Sequence, residues 1–326
     1  MLRHMNKSRV SRNIMLLTFL LTLDFLLLFP VTGASPTDTT SVDDIRLFPP
    51  WMLWVPGATH FAEGRLGTGL AFSLGETGAI ALGIAFDKQL RSETSSPYSN
   101  YPLLLGMELY NIDKCHFMRN RLEYLKATRP GFRYDDITFN KLMLEPFRPK
   151  NIFTPITGLF VAVAMGQLYL ESRHDNPDYS EVNEIYLLNR YVPRDRAMAF
   201  YGTASLAASW GAGVGEEYWF RNGLMPIWDY RFGQKKGLAY SSLLFGSLHL
   251  TNLLFEPEPD LKAALTQALA ATVAGWLLGR DVQKRDYDIG PASAAHTWYD
   301  FTLMLGSFLI NPEDNIFGVR VRFVLP

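Results

Sequence analysis

The 326-residue chain contains one cysteine, Cys115, which excludes an intramolecular disulfide and a multi-thiolate zinc site. It has no dense basic stripe, and its formal net charge is -1, so nucleic-acid binding has no footing. No His-Glu-x-x-His zinc motif occurs, and there is no internal repeat or low-complexity tract. The lack of an inverted repeat weighs against a transporter that uses intramembrane acids for proton or ion coupling. What the chain does have is a set of long apolar runs separated by charged connections, within a hydrophobic content of 48%.

That distribution predicts an all-α, polytopic transmembrane bundle. Arg3, Lys7, Arg9 and Arg12, the apolar stretch Ile14 to Phe29 and the small residues up to Ala34 read as a signal peptide or an N-terminal anchor over residues 1–34. Six spans are expected after it: Leu66 to Phe86, Ile152 to Leu170, Met198 to about Leu224, Leu238 to Leu254, Leu261 to Leu278 and Ala292 to Ile310. Pro102 to Ile112 is apolar but too short to cross a core of about 30 Å, so it is expected to be an interfacial or buried helix. The Asp113 to Lys150 segment carries nine Lys/Arg against five Asp/Glu and reads as a solvated cytoplasmic loop. Six spans starting outside satisfy this charge pattern and leave the C-terminus outside. The resulting organisation is residues 1–34 as leader, 35–150 as first span and polar loop of unassigned role, 151–311 as core, and 312–326 as tail. The Gly-rich stretch from Val55 to Gly69 is expected to serve close helix packing. Val319 to Phe323 alternates apolar and basic residues and fits a short strand or a membrane-surface tail.

Ionisable residues in apolar spans are costly and usually face a bundle interior, which marks three ordered constellations as candidate chemistry. They are Glu216-Glu217-x-x-x-Arg221, Phe245-x-x-x-His249 and His296-x-x-x-Asp300. On a helix, residues four apart share a face, so Glu217 is placed to pair with Arg221. Glu216 is turned by about 100° and is free to point at a cavity, where an unpaired carboxylate suits general-base work. Phe245 shares a face with His249, and Asn252 continues that polar face. His296 and Asp300 share another, suited to binding developing negative charge or completing a metal site. Taken singly, each has a structural explanation in an ion pair, a packed histidine or a helix-start pair.

The segments Glu216-Glu-Tyr-Trp-Phe-Arg221, Phe245-Gly-Ser-Leu-His249 and His296-Thr-Trp-Tyr-Asp300 resemble the three motifs of the CPBP intramembrane protease family. That family includes CAAX-prenyl endopeptidases and bacteriocin-processing or self-immunity (Abi) proteins. Gly275-Trp-Leu-Leu-Gly279 resembles its Gly-rich penultimate helix. The resemblance implies Glu216 activating water, His249 assisting, and His296 with position 300 stabilising the oxyanion, while Glu217 and Arg221 hold the site together. Position 300 departs from the prenyl endopeptidases, which have Asn there, because ionised Asp300 only accepts hydrogen bonds. It suits orienting His296 or ligating metal. A divalent metal such as zinc, with Glu216, His249, His296 and Asp300 as candidate ligands, stays open as a cofactor.

The leading expectation is an endopeptidase in a bacterial-type inner membrane that cleaves a peptide bond of a membrane-associated protein or peptide, with the lipid bilayer as its setting. The alternative is a non-proteolytic scaffold or chaperone-like protein that retains the same bundle. Keeping Glu216, Glu217, Arg221, His249 and His296 together separates the two, because a scaffold has no evident need for all five.

Overall fold

The computed structural model describes residues 47–93, 101–173, 183–187, 190–250, 261–310 and 320–322. The leader and Asn252 lie outside these described residues. The architecture is helical. Two 28-residue helices, α1 (Leu66–Glu93) and α2 (Tyr101–Thr128), precede α3 (Pro155–Glu171). Strands β1 (Glu184–Leu187) and β2 (Arg190–Pro193) lead into α4 (Arg194–Glu217). A π-helical segment, Tyr218–Leu224, continues from α4 without a break into α5 (Met225–Phe232). Then come α6 (Gln234–Leu248), α7 (Leu261–Lys284) and α8 (Gly290–Ile310). The tail forms β3 (Arg320–Arg322), so its alternating pattern does make a strand. The three strands form a small antiparallel sheet in the order β2-β1-β3, an addition to the all-α expectation.

Packing runs sideways through the bundle. α1 lies on α2, α2 on α4, α4 on α8, and α8 on α3, while α6 and α7 form a separate hairpin on the π-helical segment. Close approach is made possible by glycine. Ser293 Oγ donates to the carbonyl of Gly213 at 2.7 Å, across the α4 to α8 contact. A Cβ on Gly213 would collide with Thr297 and with the Ser293 carbonyl. The Gly-rich stretch before α1 also serves packing. Gly57 adopts φ 70°, which disfavours other residues, its amide donates to Asp113 Oδ2 at 2.9 Å, and Gly69 lies against it.

The segment Pro102 to Ile112 is not a short helix but the first part of α2. Its apolar run ends at Ile112, yet its buried stripe continues through Cys115, Met118, Leu122 and Leu125 at helical spacing, with Arg119, Glu123 and Lys126 more open and Asp113 and Lys114 forming a buried ion pair. Thus about half of the expected basic loop is helix, and the six-span count gains a seventh long helix to place. The remainder is not simply solvated either. Phe132, Ile137 and Leu142 are buried in the main core alongside Val214, Tyr218 and Leu278. Asn222 clasps this cover from both sides, accepting from the Asp135 amide at 2.8 Å and donating to the Asp135 carbonyl at 3.0 Å. The core therefore runs across the expected boundary at residue 150.

Among the described residues, α7 alone is both long and apolar enough to cross a bilayer, with a mean hydropathy of 1.3 over its best window. Its outer face exposes Leu261, Leu265, Leu269, Val273 and Trp276 as a continuous stripe. α1 exposes Leu66, Leu70 and Leu74, and α3 exposes Leu159, Val163 and Tyr169. Apolar faces of this extent mark contact with another apolar phase.

Gly213→Ala is expected to destabilise the protein by about 2 kcal/mol, because the added methyl meets backbone as well as Thr297. Gly78→Ala, with open space at its Cβ, is expected to be neutral or slightly stabilising. Thermal unfolding in detergent checks the pair; equal shifts would remove the argument for a glycine-dependent α4 to α8 contact.

Candidate active site

The three constellations come from four elements: the C-terminal end of α4, the π-helical segment, the end of α6 and the middle of α8. The switch from α to π hydrogen bonding begins directly after Glu217, a distortion that recurs at functional sites. Glu217 and Arg221 form the expected ion pair, Nε to Oε2 at 3.2 Å, with side chains 0% and 1% exposed. The Arg221 guanidinium carbon lies 4.1 Å from the centroid of Phe245, so the ring covers the cation. This is the physical work of the Phe245 position. Gly275 on α7 leaves the room, since a Cβ there would crowd both Arg221 and Phe245.

His296 reaches the same pair from α8. Its Nδ1 donates to Glu217 Oε1 at 2.8 Å, and its Nε2 lies 3.3 Å from Asp300 Oδ2 and 3.9 Å from Glu216 Oε2. Ionised carboxylates only accept, so a ring protonated on both nitrogens satisfies both near neighbours. The Glu217 to His296 bond was not legible from spacing within either motif, because it joins residues 79 apart in sequence. Glu216 behaves differently from its neighbour. Its side chain is 26% exposed, and of the two acids it is the one open to a reactant.

His249 sits at the end of α6, where its Nδ1 meets the Phe245 carbonyl at 2.9 Å. Its ring packs edge-on against Phe245 with centroids 4.9 Å apart. Phe245 in turn meets His296 edge-on at 6.1 Å. The structure thus gathers Glu216, Glu217, Arg221, Phe245, His249, His296 and Asp300 around one centre.

The donor set does not fit a metal as placed. Among the described residues no group of three or more His, Cys, Asp or Glu is arranged to hold an ion. The reason is visible in the bonding: both nitrogens of His296 face carboxylates, Glu217 is held by Arg221, and His249 Nδ1 meets a backbone carbonyl.

Two further residues reach this centre from α2. Glu108 is 6% exposed and lies against Gly211, and Asn111 lies against Gly215, the residue before Glu216. The Asn111 carbonyl accepts from Trp219 Nε1 at 3.2 Å. Sequence reasoning missed both residues because the start of α2 was read as a short interfacial or buried helix too brief to span. The available signal was the 3.6-residue periodicity of its buried face beyond Ile112.

Removing the carboxylate of Glu217 strands a buried guanidinium. Glu217→Gln is therefore expected to cost about 3 to 5 kcal/mol. Thermal unfolding of the purified variant checks this; a melting temperature equal to wild type would show that the pair is not a brace.

Searches of curated proteins and of solved structures return no match. Residues 199–302 match the family model described as type II CAAX prenyl endopeptidase Rce1-like. The matched stretch contains the whole constellation apart from Glu108 and Asn111. From within α4 through the π-helical segment, α5, α6 and α7 to most of α8, the chain is thus similar to the type II CAAX prenyl endopeptidases, in agreement with its resemblance to the CPBP protease family.

Proposed function

We propose that this protein is an intramembrane endopeptidase that hydrolyses a peptide bond of a membrane-associated protein or peptide with a glutamate-activated water. The observation that carries this reading is the division of labour between adjacent acids. Glu217 is fully buried and held by Arg221 and His296, whereas Glu216 is partly open and has His296 Nε2 at 3.9 Å. Such a split leaves one carboxylate for structure and one for chemistry.

In the proposed reaction Glu216 takes a proton from water as its oxygen attacks the carbonyl carbon of the scissile bond. The tetrahedral oxyanion is met by the positive charge of the doubly protonated His296 ring, whose two N–H groups are held by Glu217 and Asp300, and by His249 at the rim. Collapse breaks the carbon to nitrogen bond, and Glu216 returns its proton to the departing amine. Water is consumed, and one carboxylic acid and one amine are formed. Asp300 holds His296 at Nε2, a role open to a group that only accepts.

The family match supports the peptidase class and a membrane setting. The exposed apolar stripes of α1, α3 and α7 support embedding by several helices. At a rise of 1.5 Å per residue, α1, α2, α4 and α7 are about 36 to 42 Å long, enough to cross a hydrocarbon core of about 30 Å. We place the protein in a bacterial-type inner membrane, where its substrate is also held. The charge at position 300 separates this centre from the Asn-bearing prenyl endopeptidases, and the reading does not require a prenylated substrate.

Glu216→Gln tests the assignment because it removes the base with minimal change in shape. The variant is expected to insert normally and to melt within a few degrees of wild type. Cleavage of a membrane peptide is expected to fall by about 100-fold or more, the scale of a lost general base. Undiminished cleavage would reassign the base, and a reconstituted wild type that cleaves no peptide from a broad membrane-substrate library would favour the scaffold.

A further inference from the structure

Between α2 and α3 the chain makes two short helices, Phe139–Leu144 and Pro149–Ile152, joined by a 3-10 turn, Glu145–Phe147. The two sides of this segment are sorted by chemistry. Leu142, Glu145, Pro146 and Asn151 turn inward and are buried. Leu144, Phe147 and Phe153 turn outward, and Phe153 is 85% exposed, more than any other large apolar side chain among the described residues. Lys141 and Lys150 are exposed between them, and Arg148 is partly so.

The neighbouring acids are engaged on the inner side. Glu145, 3% exposed, receives Arg148 at 2.7 Å and Asn151 Nδ2, and lies 3.9 Å from Lys150. Asp135 accepts from the Ile289 amide at 3.2 Å and Asp288 from the Gly290 amide at 2.9 Å, both at the turn into α8. The outer surface therefore presents cations and apolar side chains. Exposed rings beside long basic side chains suit the boundary between lipid headgroups and acyl chains.

The position of the segment agrees with that boundary. Phe153 leads into α3, whose outward Leu159, Val163 and Tyr169 continue the apolar surface along the bundle. On its inner side the segment meets the start of α8, where a Cβ on Gly290 would collide with Asn151 and Glu145. His296 lies six residues further along α8, about 9 Å at the helical rise. Two tryptophans tie the segment to the helices of the reaction centre. Trp210 Nε1 of α4 donates to the Met143 carbonyl and Trp298 Nε1 of α8 to the Pro146 carbonyl, each at 2.9 Å. Phe147 packs against both indoles, with ring centroids 5.9 and 6.4 Å apart.

We propose that residues 139–153 form a foot that binds anionic phospholipid headgroups, with Lys141, Arg148 and Lys150 meeting phosphate and Leu144, Phe147 and Phe153 entering the acyl boundary. Through Trp210 and Trp298 the seated foot sets the spacing of α4 and α8, the helices that carry Glu216 and His296. The lipid contact rests on the membrane setting alone, and its effect on turnover rests also on the proteolytic reading.

Full-length protein in lipid nanodiscs tests the contact. A fluorophore on Phe153→Cys is expected to be quenched by lipids bearing a nitroxide just below the headgroup and shielded from aqueous iodide; Cys115 is buried away from the labelling reagent. Quenching by iodide alone would overturn the seating, and disulfide cross-linking of Phe153→Cys between two copies would reassign the surface to a self-contact. Enrichment of phosphatidylglycerol over phosphatidylcholine around the protein, read with spin-labelled lipids, is expected to fall about tenfold in Lys141→Gln/Lys150→Gln. Both lysines are exposed, so this variant is expected to melt as wild type does. Equal enrichment in wild type and variant would overturn the headgroup site.

The kinetic arm uses an internally quenched transmembrane-segment peptide that wild type cleaves. Wild-type kcat is expected to be several-fold higher in discs containing phosphatidylglycerol than in phosphatidylcholine alone, and the double variant is expected to lose that difference. A wild-type kcat indifferent to headgroup charge would overturn the coupling through the two tryptophans. If no peptide is cleaved in either lipid while the label and the lipid enrichment behave as expected, the proteolytic reading fails and the lipid-binding foot stands.

Discussion

The centre hangs on the buried carboxylate of Glu217. One oxygen receives His296 from α8, and the other faces Arg221 from the π-helical segment. Arg221 then lies under Phe245 from α6, in space left by Gly275 of α7. A single acid thus fixes four elements relative to one another. A charge pair at this depth is weak support for overall stability, since removing both charges can cost little, but losing one partner is severe. Its value is in specifying one arrangement. Without it, His296 keeps only Asp300 at 3.3 Å and the longer 3.9 Å approach to Glu216.

Glycine supplies the complementary constraint. Glu217 reaches both partners only because α4 approaches α2 and α8 closely, and the residues that permit this are Gly211, Gly213 and Gly215, just before the two acids. Every second residue here is small, and each faces a different neighbour: Glu108, then Thr297, then Asn111. The charged and the small residues of this stretch are one device. Ionisable groups converge because the backbones carrying them are allowed to converge.

The chemistry within one helical turn was legible in the sequence, and the chemistry between helices was not. The pairing of Glu217 with Arg221, and of His296 with Asp300, follows from a spacing of four residues and is seen at 3.2 and 3.3 Å. The different orientation of Glu216 follows from the same geometry. The bond between His296 and Glu217 and the arrival of Glu108 depend on how distant segments pack, which no local spacing encodes. The helical fold was legible from apolar runs, except for α2. There the outer face is charged and the inner stripe continues beneath it, so a measure of continuous apolarity stops at Ile112 while the helix continues to Thr128. The same error turned a buried cover, held by Asn222, into a solvated loop.

The acid at position 300 gains meaning from the other side of the ring it touches. His296 already donates to Glu217 through Nδ1, so whatever faces Nε2 decides whether the ring is a relay or a fixed donor. An amide at 300 offers either an acceptor or a donor to that nitrogen and can itself turn toward an oxyanion. Ionised Asp300 offers acceptors alone, which holds the ring as a donor on both sides. It also adds negative charge at the rim where Glu216 is exposed. In the proposed reaction the developing oxyanion then meets the charge of His296 and the ring of His249 rather than the side chain at position 300. The departure at position 300 therefore changes how the ring of His296 is held as well as the charge beside Glu216.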